Sequence, residues 1–157
     1  MIEIDKNVKF SNGDRIVVGC STGPDSMSLV DMLLKIRKKY NLCLIIAHVN
    51  HNVRKESYAE AEFLKDYCAQ NDLIFESMVI EEYGDDNFHN EARAIRYNFF
   101  ESLVQKYNAD YLMTAHHGDD LMETVLMRIV RGSNLNGYGG FKYCVDMGEY
   151  NDGYCYK

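Results

Sequence analysis

Residues 21–26, Ser-Thr-Gly-Pro-Asp-Ser, set three hydroxyls, one glycine and one carboxylate between an apolar run and an amphipathic stretch. Small residues in a strand-to-helix turn leave backbone N–H groups pointing outward, and the helix N-terminus behind them adds partial positive charge. Such a turn suits an anion, and a phosphate in particular. Gly23 permits close approach, and Ser21, Thr22 and Ser26 can donate hydroxyl hydrogen bonds. Asp25 is the odd member, because a carboxylate beside phosphate repels it unless a cation lies between them; it implies Mg2+. No Lys-Ser/Thr pair follows the glycine and no G-x-G-x-x-G occurs, so this is neither a Walker A loop nor a dinucleotide fingerprint. A tight turn with serine or aspartate capping the helix accounts for the same residues without a ligand.

Three further stretches carry reactive or charged side chains. Ala47 to Arg54 (AHVNHNVR) holds His48, His51 and Arg54. Two histidines at H-x-x-H spacing on a strand end lack a reliable metal geometry, and strand-end histidines bonded to backbone explain them equally. Asn90 to Phe100 sets Arg93 and Arg96 about one helical turn apart. They read either as arginines snorkelling along a helix surface or as guanidiniums aimed at phosphate. Thr114 to Gly132 contains His116, His117, Asp119, Asp120 and Glu123. On a helix the three acids share one side, away from Met122, Val125, Leu126 and Ile129. First-turn acids complement the helix dipole, but three together call for a cation, Mg2+ or an ammonium group.

The elements that position these stretches alternate. Arg15 to Val18, Leu42 to Val49, Leu73 to Ile80 and Tyr111 to Ala115 read as strands. Ser26 to Tyr40, Ser57 to Gln70, Phe88 to Tyr107 and Asp119 to Val130 carry helical apolar spacing, and Ser57 with Glu60 has the form of a capping box. The order is βαβαβαβα. Continuous apolar strands are buried on both faces, so the expected fold is an α/β parallel sheet with helices on both faces. Right-handed crossovers bring every β-to-α loop to one sheet edge, where ligands of such sheets bind. The polar stretches after strands one, two and four fall there. Arg131 to Lys157, rich in Gly, Tyr and Asn, lacks periodicity and reads as a loop with a hairpin or the start of a further domain.

Composition narrows the classes. A chain of 157 residues suits one domain with one sizeable core. No apolar run is long enough to span a membrane and no signal-peptide pattern opens the chain, which reads as cytoplasmic. Five cysteines with no C-x-x-C argue against a disulfide framework and against a zinc or iron–sulfur site. A net charge of −7 disfavours broad binding of nucleic acid by this chain alone.

The quoted motifs carry a resemblance. S-T-G-P-D-S is similar to the S-G-G-x-D-S loop of the PP-loop ATP pyrophosphatases, with Thr22 where the pattern has glycine, a position at which threonine costs backbone freedom. A-H-V-N-H-N-V-R resembles the A-H-V-N-H-G-L-R segment of the tRNA(Ile)-lysidine synthetase family within that group, with Asn52 in place of glycine. A-R-A-I-R-Y resembles its A-R-x-x-R-Y segment, and T-A-H-H-G-D-D-L-M-E-T its T-A-H-H-x-D-D-x-x-E-T motif. The four segments, in order, run from Arg15 to about Phe141.

That resemblance implies an adenine nucleotide alpha hydrolase-like fold and a ligase using ATP and Mg2+. Its implied substrates are tRNA(Ile) with a CAU anticodon and L-lysine, and its product is lysidine at the wobble cytidine. Ser21, Thr22, Gly23, Pro24, Asp25, Ser26, Ala47 and His48 would bind ATP, with Asp25 also holding Mg2+. Asp25, Arg93, Asp120 and Glu123 would form the catalytic set, and His51, Arg54, His116 and Asp119 would meet tRNA or lysine. Residues 1–141 would be the catalytic domain and 142–157 the beginning of a missing region; a homodimer is compatible with it. The rival readings are a tRNA thiolase, which normally carries paired cysteines, an amide-forming synthetase, which lacks the His48–Arg54 segment, and a non-enzymatic nucleotide-binding module.

Overall fold

The computed structural model describes residues 10–50, 56–80, 88–117, 122–129 and 143–146, with side chains described at 10–23, 26–50, 58–80 and 94–114. The elements are β1 (Arg15–Gly19), α1 (Pro24–Tyr40), β2 (Cys43–Asn50), α2 (Glu56–Gln70), β3 (Ile74–Val79), α3 (Phe88–Tyr107), β4 (Tyr111–His117), β5 (Met122–Ile129) and β6 (Tyr143–Asp146). They form a sheet of order β3-β2-β1-β4-β5-β6. β1 pairs in parallel with β2 and β4, and β2 with β3. β5 and β6 extend this core antiparallel beyond β4.

Strand alternation splits the apolar side chains between two layers. Ile16, Val18, Leu44, Ile46 and Met113 pack with Leu29, Val30 and Leu33 of α1 and Leu64 and Cys68 of α2. Val17, Ile45, Ala47, Val49 and Leu112 pack on the other face with Phe100, Leu103 and Val104 of α3. Helices therefore cover both faces of the parallel core, as the continuous apolar strands require.

The three helices among the described residues end in the same way. Asn41, Asp72 and Asn108 take left-handed φ values of 52°, 55° and 51°. The next residue then donates back to the carbonyl five positions earlier: Leu42 to Arg37 at 3.0 Å, Leu73 to Cys68 at 2.8 Å, Ala109 to Val104 at 2.9 Å. Asn and Asp tolerate this conformation best after glycine, and the bond satisfies helix carbonyls left over at the C-terminus. Each stop buries the first apolar residue of the following strand segment and sets its direction. Arg37, in the basic end of α1, donates to the Asn71 carbonyl at 2.6 Å, so it ties α1 to the α2 stop.

Two expectations need correction. The helix expected over Asp119 to Val130 is, over Met122–Ile129, strand β5, paired antiparallel with β4 from Tyr111↔Ile129 to Ala115↔Val125. Short apolar runs satisfy helix and buried-strand spacing alike, and Thr124, Val125 and Ile129 are β-branched, which favours the strand. Glu123 therefore lies on a strand, while Asp119 and Asp120 lie outside the described residues. Secondly, α2 starts at Glu56, which puts Ser57 inside the first turn rather than at the cap.

Candidate active site at the strand tips

The strand order reverses between β1 and β4: the chain runs outward from β1 to β2 and β3, then crosses back to β4 on the other side. In open α/β sheets the crevice at such a switch point is where ligands bind. The 21–26 turn follows β1 at this point, and its backbone explains its composition. Thr22 has φ 65°, the left-handed region where glycine is at ease and a β-branched residue is strained. Gly23 is the N-cap with no side-chain cap, and Pro24 opens α1, where a missing N–H costs nothing. The amides of the first turn are then free of intrahelical acceptors.

Ser26 organises this turn. Its hydroxyl is buried and lies 3.2 Å from the Gly23 carbonyl, which can only accept. Ser26 therefore donates there, and it accepts the Ser21 N–H at 3.1 Å. Its single proton being committed, the 3.2 Å contact between the two hydroxyls has Ser21 as donor. Beneath the turn, burial pushes the Cys20 thiol pKa up, partly offset by hydrogen bonds from the Thr22 backbone and Ser26; its sulfur lies 3.7 Å from that of Met27.

β2 supports the turn from the side. The Cys20 N–H donates to the Ala47 carbonyl at 2.9 Å. His48, 3% exposed, places Nδ1 2.9 Å from the Cys20 carbonyl. A carbonyl only accepts, so Nδ1 carries the proton and, in the neutral ring, Nε2 is left as the acceptor.

On the α3 side of the sheet a cleft of about 120 Å³ opens beside the turn, lined by Gly19, Ser21, Ser26, Ala47, Arg96, Tyr97, Phe100 and Thr114 among others. Gly19 is required here: a Cβ would lie 2.9 Å from Phe100 Cζ and 3.0 Å from Thr114 Cγ2. The structure thus brings Ser21, Thr22, Gly23, Ser26, Ala47 and His48 together at one end of the sheet. The backbones of Pro24 and Asp25 open α1, Arg93 lies on α3, His116 is on β4 and Glu123 on β5; their side chains lie outside the described ones, as do residues His51, Arg54, Asp119 and Asp120. Among the described residues no three His, Cys, Asp or Glu side chains gather as a metal cluster.

Sequence reasoning missed four contributors. Gly19, Thr114 and Tyr97 were not singled out, and Arg96, which lines the cleft, was passed over for Arg93, whose side chain lies outside the described ones. A glycine closing an apolar strand was the local signal for Gly19. Thr114 had none, because it meets Gly19 only through the sheet register.

Comparisons with known proteins agree with this geometry. A tRNA(Ile)-lysidine synthase from Geobacillus kaustophilus is 39% identical over 143 residues, covering 87% of this chain and 31% of the relative. One from Clostridium tetani is 38% identical, covering 88% and 31%, and one from Bacillus cereus 43%, covering 83% and 29%. The chain therefore spans about a third of the length of these curated relatives. Among solved structures, the U34-tRNA thiolase NcsA from Methanococcus maripaludis, with its [4Fe-4S] cluster, superposes with a TM-score of 0.60 over 71% of this chain and 42% of that one; at 17% identity this likeness speaks for the fold. The PP-loop domain model matches residues 1–152, and the chain belongs to the PP-loop domain family.

Proposed function

We propose that this chain is the ATP-using catalytic part of a tRNA(Ile)-lysidine synthetase. The observation that carries the reading is the 21–26 turn at the β1–β4 switch point, in a chain with 38–43% identity to three such synthases. In the proposed reaction the C2 carbonyl oxygen of the wobble cytidine of a CAU-anticodon tRNA(Ile) attacks the α-phosphorus of ATP. Pyrophosphate leaves. The ε-amine of L-lysine then attacks C2 and displaces AMP, leaving lysidine and one proton to be removed.

The chain's own groups would divide this work. First-turn amides of α1, and the Ser21 hydroxyl once its proton turns from Ser26 to the ligand, would hold phosphate oxygens as charge shifts onto the leaving pyrophosphate. Ser26 keeps the turn in shape. His48 and Ala47 fix the β2 tip beside the nucleotide. Arg93 and Arg96, about a turn apart on α3, supply guanidiniums for phosphate. Asp120 and Glu123 orient the lysine ammonium and take its proton before attack, while His51, Arg54, His116 and Asp119 meet tRNA or lysine. Asp25, second residue of α1, offers one carboxylate beside substrate phosphates, the donor set Mg2+ prefers. When bound there, Mg2+ would neutralise charge on the phosphates. An anticodon loop presents its base already unstacked, so the site need not open a duplex. Cytoplasmic location and a homodimer belong to the same proposal; no helix among the described residues is long and apolar enough to cross a membrane.

The test is incorporation of labelled lysine into tRNA(Ile) transcript, by this chain and by a longer form of the protein. ATP-dependent label at the wobble cytidine is expected. Label absent from both, with ATP still bound, contradicts the proposal.

A further inference from the structure

At the tip of the sheet, Ala47 pairs with Gly19 and Gly19 with Thr114, which makes one cross-strand row. Residues two positions before them, Ile45, Val17 and Leu112, lie in the core beneath α3, so alternation turns the row toward α3 as well. Its small side chains leave room for the cleft of about 120 Å³ under Arg96, Tyr97 and Phe100. Ligand pockets that enclose a whole small molecule run to about 300–1,000 Å³. The enclosed part of this cleft has the size of one chemical group.

A row of small residues says nothing by itself about a ligand. The Thr114 hydroxyl does. Thr114 is 8% exposed, and its Oγ1 has no hydrogen-bond partner among the described residues. Buried hydroxyls are otherwise bonded, because desolvation without a partner is unfavourable. Arg96 lines the same cleft, and its guanidinium carbon lies 5.6 Å from the centroid of the Tyr97 ring. No acidic residue lines the cleft among the described residues. A guanidinium only donates, and a threonine hydroxyl without a partner has its proton to give. Two donors, one of them cationic, select a negatively charged oxygen.

We propose that Thr114 and Arg96 form an oxyanion subsite, separate from the amides of the 21–26 turn, that takes one carboxylate or phosphate group. The two candidate sources, the carboxylate of lysine and a phosphate of the nucleotide, rest on the function proposed above; the subsite itself does not.

The test is calorimetric titration of this chain and of Thr114→Val and Arg96→Gln with pyrophosphate, AMP, adenosine, L-lysine and lysinamide. Valine keeps the shape of threonine and removes the hydroxyl alone. At least one anion is expected to bind less tightly to T114V by about two- to tenfold, and to R96Q by more than about tenfold. Adenosine and lysinamide, which lack the anionic oxygen, lose nothing. T114V should unfold no earlier than the native chain, because it deletes an unbonded group. Loss confined to lysine identifies the carboxylate as the ligand; loss for AMP or pyrophosphate identifies phosphate. Unchanged affinity for all three anions in both folded variants overturns the subsite, as does failure of the native chain to bind any of them. Earlier unfolding of T114V also overturns it, since the hydroxyl would then be structural. If the anion losses hold but no lysine enters tRNA, the subsite stands and the lysidine reading falls.

Discussion

The Nδ1 of His48 donates to the carbonyl oxygen of Cys20 across 2.9 Å, joining the tip of β2 to the first residue beyond β1. This bond fixes the base of the 21–26 turn against the neighbouring strand. His48→Ala should leave the Cys20 carbonyl and a side-chain volume unfilled, at about 1–3 kcal/mol. Urea unfolding measures that loss. A variant as stable as the native chain would show that the turn is held by its backbone alone.

Gly19→Ala should be destabilising by about 1–3 kcal/mol, because the added methyl meets the Phe100 ring at 2.9 Å. The second change Phe100→Leu should recover part of the loss if that ring is the obstacle. Thermal unfolding of the single and double variants checks this. Equal loss in both would point to the Thr114 methyl, 3.0 Å away, instead.

Thr22→Gly should raise stability by about 0.5–1 kcal/mol. It relieves a β-branched residue held at φ 65°, worth about 1–2 kcal/mol, and gives back part of this in unfolded-chain entropy. A fall in stability on denaturant titration would mean that the threonine side chain makes contacts outweighing the strain.

Glu76 accepts from the Tyr107 hydroxyl at 2.7 Å and from Lys106 Nζ at 3.0 Å. The tyrosine bond first, with the bond and charge of Lys106, holds its carboxyl below the usual glutamate range against the opposing effect of burial. A depressed folded pKa adds stability that is present above the unfolded value and lost as pH falls through the folded one. Tyr107→Phe should return the Glu76 midpoint, followed by NMR, toward the ordinary value. It should also flatten the acid limb of the stability–pH curve, by less than about 1 kcal/mol for so solvated a cluster. An unmoved midpoint would assign the shift to Lys106.

Burial pushes the Cys68 thiol up to about 12 and raises that of Cys20 as well. Thiolate is the reactive form, so iodoacetamide should leave both unmodified in the native chain and label both in urea. Peptide mapping after alkylation reads this out. Rapid native labelling of Cys68 would contradict the packing of α2 on β2 and β3.

Much of this architecture was legible from local pattern. Short runs rich in apolar residues marked β1 to β4, and the spacing from Phe88 to Tyr107 marked α3 at both ends. The turn at Ser21–Ser26 was visible because its chemistry is contiguous in sequence. β5 was misread because Met122, Val125, Leu126 and Ile129 satisfy helical spacing as readily as a short buried strand, and only pairing with β4 decides between them. The cleft was not legible, since Gly19 and Thr114 are neighbours by register, 95 positions apart in sequence. The part Arg96 plays was not legible for a related reason: Arg93 and Arg96 both fit the apolar edge of α3, and only the packing of the helix on the sheet shows that Arg96 lines the cleft.

The central claim is that the strand tips around Ser21–Ser26 hold the phosphates of ATP. Amide chemical-shift mapping during titration with ATP and Mg2+ tests it most directly. The account predicts the largest shifts at Ser21, Thr22, Gly23 and Ser26, with smaller ones at Gly19, His48 and Thr114. Shifts confined to α2 and the outer edge of β3, with the turn unmoved, would contradict it.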